Sequence, residues 1–203
     1  MAQPTLKITS PEDGTVVYSG DSLLVTVEAA PANAFQVVTI IGSFFSMTWD
    51  RMLQRPPYRF SIKISPRVSP RRYSLTADGI IRPGEGASSD PVGVQVEHPG
   101  TPLSLTAEPR AIAFKVVGDE VPLGVIGRFA DDERVFLEDS SFIKFASDNA
   151  SVTTVDSDGH VKAVGPGSAK ITIRYKEKST VVPVTVRKPM AGHVASLTPC
   201  CAR

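Results

Sequence analysis

The chain is built from short segments in which apolar and polar residues alternate. They are separated about every 8 to 12 residues by clusters of Gly, Pro, Asp and Ser. Tyr58-Arg59-Phe60-Ser61-Ile62-Lys63-Ile64 is the clearest of them. At a period of two, its Tyr, Phe and Ile side chains share one face, and its Arg, Ser and Lys side chains share the other. That is a strand with one dry side and one wet side. Leu6–Ile8, Thr15–Val17, Leu23–Glu28, Phe35–Ile41, Tyr73–Ala77 and Val92–Glu97 follow the same logic, giving about seven strands before residue 98. No 12-residue window sustains an apolar period of 3.6, so no long helix is predicted. Seven short strands in that length predict a β-sandwich.

His98-Pro99-Gly100-Thr101-Pro102 interrupts the pattern. Two prolines and a glycine within five residues break strand pairing and stiffen the joint. The alternation then restarts at Leu103–Ala107. It continues through Ile112–Phe114, Val121–Phe129, Val135–Leu137, Ile143–Phe145, Val152–Val155, His160–Val164, Ala169–Tyr175 and Thr180–Val186. The expectation is an all-β protein of two tandem sandwiches, residues 1–98 and 102–188. Lys188-Pro189-Met190-Ala191-Gly192 ends the last strand, and residues 189–203 read as a disordered tail.

Composition narrows the function classes. The formal net charge is +1, from 22 basic and 21 acidic residues, and no basic footprint for nucleic acid exists. Residues 1–99 carry nine of each sign, so the balance does not hide a basic half beside an acidic one. No run of 18 apolar residues is present, so no membrane-spanning segment is read. The two cysteines, Cys200 and Cys201, are adjacent, so a disulfide framework is not expected. The three histidines (His98, His160 and His193) are scattered, and no metal or other cofactor is predicted. The N-terminus lacks a basic region followed by an apolar stretch. With a clean domain start and no visible export signal, the chain is expected to be a piece of a longer exported protein.

The stretch from Ser147 to Ile173 carries a family pattern. Ser147-Asp148-Asn149 is followed by Val152, then Val155-Asp156, then the turn Ser157-Asp158-Gly159. Val161-Lys162-Ala163, Gly165-Pro166-Gly167 and an alternating strand complete it. Over about residues 102–187 the chain resembles the group-2 bacterial immunoglobulin-like domain of invasin- and intimin-type surface proteins. Asp156–Gly159 closes a hairpin, and Val152, Val155, Val161 and Val164 are candidate core residues on its strands. Ile8–Gly14, Pro57–Phe60, Arg72–Ala77 and Ser88–Val92 give the first half a looser resemblance to a second bacterial immunoglobulin-like module. The resemblance implies two immunoglobulin-like β-sandwich domains. It also implies a spacer, adhesive or accessory role at the cell surface, outside the cell or in the periplasm.

The chemistry-bearing patterns are weak. No Gly-x-Ser-x-Gly elbow, phosphate-binding glycine loop or His-Glu-x-x-His occurs. Asp131, Asp132 and Glu133 form a charged turn, and Asp156-x-Asp158-Gly159 lacks the downstream Glu of a calcium loop. An enzyme is therefore not expected. Six arginines between Arg51 and Arg72 lie close to Trp49 and Tyr58. Arginine and aromatics are enriched where proteins meet partners, so Trp49, Arg51, Arg55, Tyr58 and Arg59 are the candidate binding residues. The aromatic run Phe44–Trp49 reads as a cap on the sandwich or a ligand-contacting rim. The expectation is a monomeric structural or adhesive module with a protein or glycan ligand. The alternative is an accessory carbohydrate-binding module of a polysaccharide-active enzyme.

Overall fold

Alternation in the sequence converts directly into burial. A computed structural model describes residues 3–45 and 52–188, apart from the side chain of Asp131. Trp49, Arg51, His193, Cys200, Cys201 and the predicted tail lie outside the described residues. In β6 (Tyr58–Lys63), Tyr58, Phe60 and Ile62 point inward while Arg59, Ser61 and Lys63 face solvent.

The first module is a two-sheet sandwich. One sheet has the order β1 (Thr5–Ser10), β3 (Ser22–Ala30), β6. The other runs β2 (Thr15–Tyr18), β9 (Val92–Glu97), β7 (Arg71–Arg82), β4 (Val37–Gly42), β5 (Met52–Leu53), and β8 (Glu85–Ser88) also pairs with β7. β2 is parallel to β9 and the other pairs are antiparallel. Val25, Val38, Ile40, Ile62, Leu75 and Val94 are fully buried between the sheets. Phe44 and Phe45 join this core, their rings edge-on at 5.0 Å, so the described part of the aromatic run is a cap. Burying side chains of this size contributes about 1.5–3 kcal/mol each.

The second module has its own core. β10 (Ser104–Glu108), β13 (Gly124–Arg128) and β14 (Arg134–Phe136) form one sheet. β11 (Ile112–Phe114), β19 (Lys178–Val186), β18 (Gly167–Tyr175) and β15 (Ile143–Ser147) form a second. β12 (Glu120–Pro122), β17 (His160–Ala163) and β16 (Thr153–Val155) form a third, smaller one. Ile171 and Ile173 share the buried face of β18, with Val125, Leu137, Val161 and Val182 around them.

Three local readings change. Val121–Phe129 is not one strand: at Leu123 the chain leaves β12, which pairs with β17, and enters β13, which pairs with β10 and β14. Leu123 N–H still donates to Gly159 O at 3.0 Å, in register with β12, and from Gly124 onward the chain pairs with β10. The strand at Tyr73–Ala77 runs on through Asp78-Gly79 to Arg82, because a glycine at 79 leaves room for the Phe35 ring. A Cβ there would lie 2.3 Å from Phe35 Cδ1. Val164 is 42% exposed and is not a core residue, whereas Val152 and Val161 are.

The Asp156–Gly159 hairpin turns as predicted. Gly159 adopts φ +80°, and Asp156 Oδ1 accepts the N–H of His160 at 2.8 Å and of Asp158 at 3.0 Å. These bonds, that from His160 foremost, hold the Asp156 carboxyl below its ordinary value. A carboxyl depressed on folding stabilises the native state above its unfolded pKa of about 3.9, and that contribution is lost as pH falls through the lower folded value. Urea titrations of the full chain between pH 5 and pH 3, followed by circular dichroism, should therefore show wild type losing more stability than Asp156→Asn. Identical pH slopes would refute this assignment.

Candidate functional site at the inter-module joint

β9 ends at Glu97, directly before the proline-bracketed linker. By period two, Glu97 falls on the polar face with Gly93 and Gln95, opposite the buried Val94 and Val96. Yet Glu97 is 0% exposed, because the second module covers it. The turn before β15 brings Ser140 and Ser141 onto its carboxylate. Ser140 Oγ donates to Oε2 at 2.5 Å, while Ser141 N–H and Ser141 Oγ donate to Oε1 at 2.7 and 2.8 Å. Gln95 Nε2, on the same strand, donates to Oε1 at 2.9 Å. The backbone carbonyl of Glu97 is also used, accepting Ser19 N–H at 2.9 Å. A carboxylate removed from water is costly unless its lone pairs are filled, and donors from both modules fill them.

A second set of contacts ties the linker to the second module. Lys176, at φ +50° in the tight turn between β18 and β19, donates from Nζ to the carbonyls of Gly100 at 2.7 Å and His98 at 3.2 Å. The same ammonium lies over the rings of Phe142 and Tyr175, 5.4 and 5.5 Å from their centroids. The His98 ring stacks on Phe129 at 3.8 Å. Its Nδ1 accepts Gly100 N–H at 3.1 Å, and its Nε2 faces Glu133 Oε2 at 3.4 Å. Leu103 N–H donates to Arg128 O at 2.6 Å. Beside the Glu97 clamp, burial, and after it the charge of Glu97, push the Tyr175 phenol up to about 12.

Two clefts open at this joint. One, of about 330 Å³, is lined by Pro66–Ser69 of the first module, His98, and Glu133–Phe136 of the second. The other, of about 320 Å³, places Arg71, Arg72 and Gln95 of the first module against Glu138, Asp139 and Asp158 of the second. Arg72 also binds both oxygens of Asp13 at 2.6 Å, and Gly93 N–H reaches Asp13 Oδ1 at 2.7 Å. The Gly93 bond first and Arg72 second hold the Asp13 carboxyl below its ordinary value.

The arginines adjacent in sequence are not one patch. Arg55 and Arg59 are exposed, Arg59 on the outer face of β6. Arg67 reaches the first cleft and Arg72 the second, while Arg71 lies over the Tyr73 ring at 4.7 Å. Tyr58 is 1% exposed; it is a core residue, out of reach of a surface ligand, and burial raises its phenol pKa. Trp49 and Arg51 lie outside the described residues. Among the described residues, no group of three or more His, Cys, Asp or Glu side chains is arranged to hold a metal ion. Nor is any helix there long and apolar enough to cross a membrane. Glu97, Ser140, Ser141 and Lys176 were not legible as a site. The only signal was a glutamate placed immediately before a stiff linker.

Residues 106–186 match the sequence model of the family described as "Bacterial Ig-like domain (group 2)", and the second module is such a domain. No curated protein matches the chain. Among solved structures, the chain is similar to fibronectin(III)-like modules of Clostridium thermocellum CbhA, at 18% identity and TM-score 0.37, over 45% of this chain and 94% of that one. It is similar to domains 1–6 of the surface layer protein SbsC at 16% identity and TM-score 0.38, over 94% of this chain and 29% of that one. A Parabacteroides merdae beta-glucuronidase matches at 10% identity and TM-score 0.37, over 91% of this chain and 25% of that one. The chain thus spans under a third of the surface layer protein's length and a quarter of the glucuronidase's.

If Glu97 and Ser141 form the joint, their effects on stability are not additive. A double-mutant cycle with Glu97→Ala and Ser141→Ala, read by urea denaturation of the full chain, should give a coupling of about 1–3 kcal/mol. A coupling near zero would mean that the clamp contributes nothing.

Proposed function

We propose that this chain, whose residues 106–186 form a group-2 bacterial Ig-like domain, is a non-catalytic structural unit of an exported or cell-surface bacterial protein. In this reading it acts as a spacer of two rigidly joined modules, and it presents partner-binding surfaces at or near the joint. The first module serves as a second, more divergent bacterial Ig-like unit. One observation carries the reading: a fully buried carboxylate of one module is satisfied by the other. A spacer must transmit position from one end to the other. A freely hinged pair cannot do so, whereas a pair sharing a desolvated hydrogen-bonded charge can.

Adhesion, a monomeric working state and a location outside the cytoplasm belong to the same proposal. They draw support from the family to which the second module belongs. Fold-level likeness by itself would not warrant a particular activity.

Small-angle X-ray scattering of the full chain tests the spacer reading. The wild type should fit a single rigid two-module envelope, and Glu97→Ala should broaden the pair-distance distribution without unfolding either module. Wild-type scattering that requires an ensemble of hinge angles would contradict it.

A further inference from the structure

The cleft lined by β14 is bounded on one side by an unpaired strand edge. β14 is the outer strand of its sheet. Phe129 N–H donates to Glu133 O, and Leu137 N–H to Val125 O, both at 2.8 Å. Val135 stands opposite Gly127 in the same register. Residues 133, 135 and 137 therefore bond toward β13. By the antiparallel alternation, the N–H and C=O groups of Arg134 and Phe136 point away from it, with no strand beyond them among the described residues.

Three further features mark this edge. Arg67 and Arg134 both line the cleft, one from each module, and neither guanidinium has an ion-pair or hydrogen-bond partner among the described residues. The one carboxylate of the cleft wall, Glu133, faces His98. Phe136 is 57% exposed and stands two residues from Arg134, on the same face of β14. Free backbone groups, two unneutralised cations and an exposed aromatic thus converge on a space of about 330 Å³.

We propose that this cleft takes an extended acidic segment of a partner protein, which adds to β14 as a further strand. The backbone of Arg134 and Phe136 supplies the ladder bonds. Arg134 and Arg67 each meet a carboxylate, and Phe136 packs against an apolar side chain between them. The inference rests on the spacer reading, since the two arginines face one cleft only while the joint holds the modules together.

The test is an amide chemical-shift titration of the ¹⁵N-labelled full chain with a blocked peptide, Glu-Thr-Val-Thr-Glu, whose two Glu and one Val share a face at period two. Saturable shifts should concentrate at residues 133–137 and 66–69, with a Kd below about 1 mM. Arg67→Ala and Arg134→Ala should each weaken binding roughly tenfold. Added salt should weaken it too. A peptide with Lys in place of Glu should not bind, and an acidic peptide N-methylated along its backbone should lose binding. The proposal is overturned by no saturable shift, by shifts lying away from β14, or by equal binding of the N-methylated peptide. Scattering separates the two readings: a rigid wild type that ignores the peptide refutes this inference alone, whereas a hinged wild type refutes the spacer reading.

Discussion

The arrangement of the two modules depends on the Glu97 carboxylate. It sits at the last position of the last strand of the first sandwich, and it is removed from water by the second. The hydroxyls of Ser140 and Ser141 and the Ser141 amide replace the water it gives up. Moving the modules apart would strand these donors and re-expose the charge together, so the joint resists partial opening. The prolines of the linker restrict the path of the chain. Lys176, by holding the His98 and Gly100 carbonyls, fixes where that path runs.

Each sandwich is otherwise an independent solution to the same problem. Strands of period two bury one face, and two such faces close on a core. The first core draws on residues from Leu6 to Val96 and the second on residues from Ala107 to Val186. Parallel pairing of β2 with β9 and of β11 with β19 recurs in both, near the start of each module. The joint is built from what the cores do not need: a polar residue at a strand end, serines in a turn, and a lysine in a hairpin.

Much of the fold was legible in the sequence, because it is written locally. The faces of β6 and β18 follow from alternation alone, and the Asp156–Gly159 turn follows from residue types that favour it. Where packing overrides a local signal, the reading failed. Asp78-Gly79 stays within β7 because Phe35 occupies the space above the glycine. At Leu123 the chain passes from the sheet of β12 to that of β13, a crossing that the apolar pattern of Val121–Phe129 does not mark. The joint was not legible, because Glu97 and Ser140 are 43 residues apart and nothing in either neighbourhood implies the other. The arginine-rich stretch misled for the converse reason. Residues adjacent in sequence were dispersed over two clefts and an outer strand face, and Tyr58 went into the core.

The two modules share one buried carboxylate, and through it they should move as one body. Residual dipolar couplings of the ¹⁵N-labelled full chain in a weakly aligning medium measure this directly. A single alignment tensor should fit the amides of both modules with the orientation described, and Glu97→Ala should split it into two tensors of unequal magnitude. Two distinct tensors in the wild type would contradict it.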